Sequence, residues 1–210
     1  MKILAYDTSN GLDAAVVENG RVLAQARHLT MGKGSDVLVP LIKQVLTKAK
    51  VSPADLDGLA VCVGPGSFTG IRVGLVTAQI LSMVWKKKVA GISSLEALAR
   101  GIEGKSVGVM LDAKRGKVYA ALYERAAAGF REKAAPHLTE PADFLKAHKN
   151  SEIFTNVIGL ENIPGIARGN DYKAVYIAQA ALERKKFGDA AKLAPLYLHP
   201  KDCNVTLKKK

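Results

Sequence analysis

Residues 64–74 read Gly-Pro-Gly-Ser-Phe-Thr-Gly-Ile-Arg-Val-Gly and join an apolar run at residues 59–63 to an apolar helical pattern at residues 70–85. Glycine reaches backbone conformations and close approaches that other residues avoid, and proline fixes a turn. The segment therefore predicts a sharp turn from a β-strand into an α-helix, as expected in an α/β fold.

The same segment invites comparison with two phosphate-binding loops. A P-loop has four residues between its glycines and then Lys, whereas three residues separate Gly66 from Gly70, and Ile71 follows. The dinucleotide fingerprint fails because Thr69 stands at its third glycine. Two interpretations stay open: a structural turn, or direct phosphate contact at a helix start that Ser67 caps.

Composition predicts a cytoplasmic protein. A chain of 210 residues suits one large domain or two small ones, with an ample core. The two cysteines, Cys62 and Cys203, form neither a disulfide framework nor a metal pattern, which fits a reducing cytosol. The helical pattern at residues 70–85 contains Arg72 and falls short of a membrane span, so we expect no membrane partner.

The formal net charge of +12 has two interpretations. It is typical of proteins that bind a polyanion such as RNA, and a lysine-rich surface explains it equally well. Two lysine runs, residues 86–88 and 208–210, hold much of the excess, and no aromatic-plus-basic motif accompanies either run. Direct contact with RNA therefore stays open.

Strand and helix patterns alternate through the first half of the chain. Two strand patterns, residues 14–18 and 21–26, flank Asn19-Gly20, a strong two-residue hairpin signal. Apolar residues at helical spacing predict a helix at residues 35–48, and another helix is expected at residues 174–185. Residues 126–170 carry no pattern that assigns an element.

The strand pattern begins again halfway along the chain. A strand at residues 2–6 ends in Asp7, a strand at residues 107–111 ends in Asp112, and each is followed by a strand that contains Ala-Ala. This repeat fits the two-domain α/β architecture of actin, Hsp70 and sugar kinases, with mixed sheets and β-hairpins flanked by helices. The predicted domains are residues 1–103 and 104–210.

Few residues are candidates for chemistry. No two of the four histidines are four residues apart, so no helix presents a histidine pair to a metal, and no Gly-x-Ser-x-Gly elbow is present. Asp7 and Asp112 either are cleft carboxylates that would serve Mg²⁺ or a nucleophile, or end strands and accept bonds from turn amides. A remnant of a nucleotide cleft would comprise Asp7, Thr8, Ser9, Gly66, Ser67 and Asp112.

The helix at residues 70–85 carries large apolar side chains around nearly its whole circumference. Such a helix must be buried on more than one side, and its stripe of small residues lets a neighbour approach closely. The neighbour is either the helix at residues 35–48 or a second protein that covers both helices. For a second protein, replacing Ala78 with Trp is expected to abolish binding and spare the fold. The predicted partner interface comprises Val37, Leu38, Leu41, Ile42, Val45, Gly70, Gly74, Ala78 and Ser82.

Three further segments accompany the glycine-rich one. They are Asp-Thr-Ser at residues 7–9, Ser-Ser-Leu-Glu-Ala-Leu-Ala at residues 93–99 and Leu-Asp-Ala-Lys-Arg-Gly-Lys-Val-Tyr-Ala-Ala at residues 111–121. Together with Pro-Leu-Tyr-Leu at residues 195–198, these segments closely resemble the signature of the bacterial TsaB family.

The resemblance implies a two-domain actin-like fold and a role in tRNA modification. Members of the family pair with TsaD, and with the ATPase TsaE, to place a threonylcarbamoyl group on N6 of the adenosine beside the anticodon. TsaD performs the transfer, while the TsaB chain is a catalytically silent scaffold that forms a homodimer in isolation and meets tRNA through the complex. No intrinsic cofactor is expected, and ATP or ADP with Mg²⁺ would belong to the assembled complex.

An active ATP-dependent phosphotransferase or a peptidase of the same fold is the alternative. Either enzyme would need a complete phosphate loop or a metal pair, and the sequence contains neither pattern.

Overall fold

Two five-stranded sheets form the core of the protein in its computed structural model. The structure describes residues 1–28, 34–127, 129–157, 166–167 and 173–198. The first sheet contains β1 (Lys2–Asp7), β2 (Leu12–Glu18), β3 (Arg21–His28), β4 (Gly58–Gly64) and β5 (Val89–Ser93). The helices of the same half are α1 (Gly34–Ala49), α2 (Phe68–Trp85) and α3 (Ser94–Arg100).

The second sheet follows in the second half of the chain. It contains β6 (Ser106–Asp112), β7 (Val118–Ala126), β8 (Gly129–Thr139), β9 (Glu152–Thr155) and β10 (Ile166–Ala167). The helices of this half are α4 (Pro141–Ala147) and α5 (Lys173–Arg184). Residues 126–170, which no sequence pattern assigned, thus contain β8, α4, β9 and β10.

Both sheets have the same strand order. The first runs β3-β2-β1-β4-β5, and the second runs β8-β7-β6-β9-β10. In each sheet the first three strands of the chain pair antiparallel, and the remaining two run parallel to the central strand. The repeated order confirms the predicted two-domain actin-like α/β fold.

The predicted hairpin between β2 and β3 turns on Asn19 and Gly20. Their φ angles are 49° and 87°. Two consecutive positive φ angles define the two-residue turn whose twist matches that of the flanking strands. The side-chain chemistry of Asn-Gly therefore sets the register in which β2 and β3 pair.

The first sheet is buried on both faces. Because successive side chains of a strand point to opposite faces, Leu4 and Tyr6 pack with α1 and α2, while Ile3 and Ala5 pack with α5. Helix α5 follows the second sheet in the chain but packs on the first. The predicted division at residue 103 falls between the two sheets and stays a prediction.

Helix α2 differs from the sequence-based expectation in one respect. At 18 residues it is long and apolar enough to span a membrane by length and composition, so the expectation that it falls short is wrong on these criteria. Its fold gives it a core face, since Ile71, Leu75 and Ala78 are buried with residues of the first sheet.

Candidate functional site

The glycine-rich segment packs against the end of β1. The Ser67 amide donates to the Ser9 carbonyl oxygen over 2.6 Å. A Cβ atom on Gly66 would lie 2.6 Å from the same oxygen, and one on Gly70 would lie 2.0 Å from the Thr8 carbonyl oxygen. No side chain fits at either position, so this geometry supports the interpretation of residues 64–74 as a structural turn.

The stripe of small residues on α2 faces the same strand end. The Thr8 hydroxyl donates to the Gly70 carbonyl over 2.7 Å, and the Tyr6 hydroxyl donates to the Gly74 carbonyl over 3.0 Å. A Cβ atom on Gly74 would lie 2.4 Å from Thr8 Oγ1. Gly70 and Gly74 of the stripe therefore pack against the end of β1 and Thr8.

Most of the predicted partner-interface residues lie in the core of the described chain. Gly70 and Gly74 face β1 as described, and Ala78 is fully buried, so a Trp at position 78 would disturb the core. Ser82 is half-buried, and its hydroxyl donates to the Lys87 carbonyl. Of the five predicted interface residues on α1, Val37 is partly buried against the core and the other four lie in it; these are Leu38, Leu41, Ile42 and Val45.

Another face of α2 is exposed and apolar. We call it the outer face and define it by Val76, Ile80, Met83 and Val84, which are 51–74% exposed. The helix therefore carries more apolar surface than the described chain buries, as its sequence predicts. Spacing alone did not reveal which side would remain uncovered, because apolar residues surround the helix.

A groove runs beside this helix, between α1 and the C-terminal half of α2. Its volume is about 420 Å³, and Lys43 and Lys50 lie in its lining. The remaining lining residues are Val39, Ile42, Leu46, Thr47, Val51, Ser52, Pro53, Leu81 and Trp85. An apolar groove that also presents lysines suits an apolar segment flanked by negative charge.

Asp7 is buried in an ion pair. Its Oδ2 lies 3.0 Å from Lys173 Nζ at the start of α5, and its Oδ1 accepts the Ser9 amide over 2.8 Å. Burial acts to raise the pKa of Asp7, but the Lys173 charge and the Ser9 hydrogen bonds outweigh it and lower that pKa. Since an ammonium group already satisfies this carboxylate, it is not an open ligand for Mg²⁺.

Asp13 is a second buried carboxylate, directly across the hairpin from Asp7. Its Oδ1 accepts the Ala174 amide over 2.5 Å. Burial, and then the charge of Asp7, raise the pKa of Asp13 to about 7. Sequence reasoning missed Asp13, which the hairpin register could have found, and Lys173, which lies 166 residues from Asp7 and left no signal.

Asp112 lies at the equivalent strand end of the second sheet and has a local role. It accepts the Lys114 amide over 2.7 Å and lies 2.6 Å from Lys114 Nζ. The hydrogen bond from the Lys114 side chain, followed by the one from its amide, lowers the pKa of Asp112. Asp112 thus closes the turn after β6, which is the structural one of its two predicted roles.

The structure brings five of the six cleft candidates together. Asp7, Thr8 and Ser9 meet Gly66 and Ser67 through the contacts above, whereas Asp112 contacts Lys114 of its own turn and donates its amide to Asn156 Oδ1. Within the described ranges, no three His, Cys, Asp or Glu side chains form a group that could hold a metal ion.

An exposed aromatic cluster adjoins the glycine-rich segment. The rings of Phe68 and Tyr197 stack with centroids 5.3 Å apart, and the guanidinium carbon of Arg72 lies 3.8 Å from the Phe68 centroid. Sequence reasoning missed this cluster because Arg72 and Tyr197 are 125 residues apart.

The chain is similar to proteins of known name. The family model described as TsaD, tRNA N6-adenosine threonylcarbamoyltransferase, matches residues 29–190. The "tRNA threonylcarbamoyladenosine biosynthesis protein TsaB" of Bacillus subtilis is 35% identical over 128 residues, which are 59% of this chain and 56% of that protein. The protein of the same name from Escherichia coli is 33% identical over 129 residues, covering 60% and 56%. The chain thus spans little more than half the length of these curated relatives.

A solved structure supports the fold independently. The crystal structure of an uncharacterized protein with similarity to peptidase YEAZ from Pseudomonas aeruginosa superposes with a TM-score of 0.80 and covers 94% of this chain and 99% of that chain. At 23% identity this likeness concerns the fold alone. From the family model and the named relatives together, the chain belongs to the family described as TsaD, tRNA N6-adenosine threonylcarbamoyltransferase, and within it to the TsaB family.

Proposed function

We propose that this chain is a non-catalytic subunit in the biosynthesis of threonylcarbamoyladenosine in tRNA, and that it binds the transferase TsaD through the outer face of α2 and the adjoining groove. The names of its relatives support the pathway. TsaE joins this complex, and ATP or ADP with Mg²⁺ acts in the complex rather than on the isolated chain. The assembly works on tRNA in the cytoplasm.

The observation that carries the proposal is the exposure of the outer face. Val76, Ile80, Met83 and Val84 are 52%, 51%, 74% and 63% exposed. Burying a large apolar side chain is worth about 1.5–3 kcal/mol, so covering four half-exposed ones gains several kcal/mol. That gain is comparable with the whole stability of a small domain, about 5–15 kcal/mol. A protein partner that covers this face would bury these side chains and so gain this free energy.

The state of the two strand-end carboxylates supports a non-catalytic role. Lys173 pairs with Asp7, and Lys114 pairs with Asp112, so both carboxylates are engaged with lysines of the chain itself. In the segment at residues 64–74, Gly66, Gly70 and Gly74 allow close packing against Thr8 and Ser9 at the end of β1. Transfer chemistry is therefore assigned to the partner, and this chain contributes a docking surface.

A calorimetric titration of the purified chain with TsaD of the same organism tests the proposal. Val76→Asp places a charge on the outer face and is expected to weaken binding at least about tenfold, since desolvating a carboxylate costs well over about 1.4 kcal/mol. The matched control is Val22→Asp, because Val22 is also exposed but lies on β3, away from α2.

Threonylcarbamoylation of tRNA by the reconstituted proteins provides the functional readout. We expect modification to require this chain and to fall in Val76→Asp but not in Val22→Asp. Binding of Val76→Asp with wild-type affinity, or modification that proceeds without the chain, would contradict the proposal.

A further inference from the structure

Phe68, Arg72 and Tyr197 form an exposed cluster at the N-terminal end of α2, where Arg72 is one helical turn from Val76 of the outer face. Phe68 is 54% and Tyr197 44% exposed, and Arg72 is also exposed. Phe68 and Met83 are 15 residues apart on one helix, which is about 22 Å along its axis. The cluster therefore lies at the opposite end of α2 from the end that flanks the groove.

Arg72 and Tyr197 lie on the same face of the Phe68 ring. The Nε atom of Arg72 donates to the Tyr197 hydroxyl over 3.1 Å, and both groups lie against the Phe68 ring. Groups on opposite faces of a ring, each about 3.5 Å from its plane, could not approach each other this closely. Arg72 and Tyr197 thus share one face, Phe68 remains 54% exposed, and we call the opposite face of its ring the open face.

The backbone beneath the cluster is held on both sides. Phe68 is the first residue of α2 and follows Ser67, whose hydroxyl caps the helix by accepting the Gly70 amide over 3.2 Å. The residue before Tyr197, Leu196, donates its amide to the Val63 carbonyl over 2.7 Å. An aromatic ring on a fixed backbone loses little conformational entropy when a ligand stacks on it.

We propose that this cluster binds an unpaired base of an RNA strand, with the base stacked on the open face of Phe68 and the adjoining phosphate near Arg72. The inference rests on the proposed function in that tRNA is the substrate, and it adds a direct contact between RNA and this chain. Unpaired bases stack on aromatic rings and on arginine in many RNA-binding proteins. The net charge of +12 provides long-range attraction for the strand.

The polar groups of the cluster favour RNA over an apolar partner. A protein ridge or a lipid surface that covered Phe68 would also cover the Arg72 guanidinium, and an unpaired buried charge is costly. RNA supplies a flat apolar group for the ring and an anion for the guanidinium at neighbouring positions. The two neighbours of Phe68 in sequence, Ser67 and Thr69, add exposed hydroxyls.

The test measures fluorescence anisotropy of the isolated full chain with two labelled strands of about twelve nucleotides. One is an oligoadenylate, and the other is its abasic counterpart with the same phosphates and no bases. Phe68→Leu keeps an apolar side chain but removes the flat ring, so we expect it to raise the Kd for oligoadenylate about tenfold and to leave the Kd for the abasic strand unchanged.

A second pair of variants measures the contribution of charge to binding separately from that of stacking. Arg72→Gln and Arg131→Gln each remove one positive charge, but Arg131 lies on β8, away from the cluster. We expect Arg72→Gln to weaken binding of both strands by more than Arg131→Gln does. A Phe68→Leu variant that changes both Kd values equally, or neither, would overturn the proposal, as would a wild-type chain that prefers the abasic strand.

A second readout does not depend on an affinity change. The chain has a single tryptophan, Trp85, so Phe68→Trp in a Trp85→Phe background places the only indole in the cluster. Oligoadenylate is expected to quench its fluorescence and the abasic strand is not; equal quenching by both strands would contradict stacking. TsaD is absent from these measurements, so a failure of the partner proposal and a failure of this one are separate results.

Discussion

At the scale of single residues, the most unusual feature is the group of charges at the end of the first hairpin. Asp7, Asp13 and Lys173 are all buried, and their side chains join strands β1 and β2 to the start of α5. The ammonium group of Lys173 pairs with Asp7. A negative charge on Asp13 as well would raise the free energy of the folded state, so Asp13 favours its protonated form. The raised pKa of Asp13 is the consequence.

The stability of the protein should therefore depend on the protonation of Asp13. The folded chain keeps this proton up to about pH 7, whereas an unfolded Asp releases it near about pH 3.9. The folded state binds more protons between these values, so the free energy of unfolding falls as pH rises through this window. Asp13→Asn mimics the protonated carboxyl and still offers an oxygen to the Ala174 amide.

We expect Asp13→Asn to gain about 2 kcal/mol relative to the wild type between about pH 5 and pH 8, measured by urea denaturation. Glu103→Gln is the control, because Glu103 is an exposed carboxylate in the loop before β6. A difference between Asp13→Asn and the wild type that does not change with pH would show that Asp13 is ionised throughout.

At the scale of elements, the sequence predicts those whose side-chain pattern is periodic. The β2–β3 hairpin was recognisable from Asn19-Gly20, and α1 and α2 from apolar residues at helical spacing, because these signals are local. Strand β8 was missed since its sequence, Gly-Phe-Arg-Glu-Lys-Ala-Ala-Pro-His-Leu-Thr, mixes charged and small residues and includes Pro136. As an edge strand paired only with β7, it tolerates proline. Its hydrogen bonds with β7 hold it as a strand, although its side-chain pattern does not predict one.

The contact between α2 and β1 offers a test of the structural role of the glycine-rich segment. In Gly70→Ala the new methyl group would meet the Thr8 carbonyl oxygen, which is backbone and cannot rotate away. We expect a loss of about 1–3 kcal/mol in the free energy of unfolding, typical of an overpacked site, despite the better helix propensity of alanine.

Gly188→Ala is the matched control for that substitution. Gly188 precedes the last described turn of the chain, and a Cβ atom there would have no heavy atom within 4 Å. Urea denaturation of the two variants should thus separate steric conflict from the general effect of replacing glycine. Equal stability of both variants would contradict the close approach of α2 to β1 and reopen a phosphate-binding role for the segment.

At the scale of the whole molecule, the far end of the chain completes the first half. Helix α5 covers one face of the first sheet, and the Leu196 amide donates to the Val63 carbonyl of β4. Both candidate sites also depend on contacts between the last described part of the chain and its first half. Lys173 meets Asp7, and Tyr197 meets Arg72. Contacts of such long sequence separation leave no periodic or motif signal, which is why the fold was predictable and the partners of these residues were not.

Charge on the partner surface distinguishes a second copy of the chain from a different protein. Apart from Arg72 in the aromatic cluster, helices α1 and α2 contain one acid, Asp36, against Lys43 and Lys48, and three lysines follow α2 at residues 86–88. Two copies that meet through this surface bring lysines together, so repulsion opposes the homodimer, whereas a partner with carboxylates beside an apolar ridge is attracted.

Salt should therefore act in opposite directions on the two assemblies. Raising ionic strength from about 0.05 M to about 0.5 M shortens the screening length from about 14 Å to about 4 Å. Sedimentation equilibrium is expected to show a homodimer that tightens over this range, while the complex with TsaD weakens. In a Lys43→Gln, Lys50→Gln variant the homodimer should be tighter at low salt and less sensitive to salt, because the groove has lost its charges. A homodimer that weakens with salt would mean that opposite charges meet across it, which would contradict repulsion between the lysines of this surface.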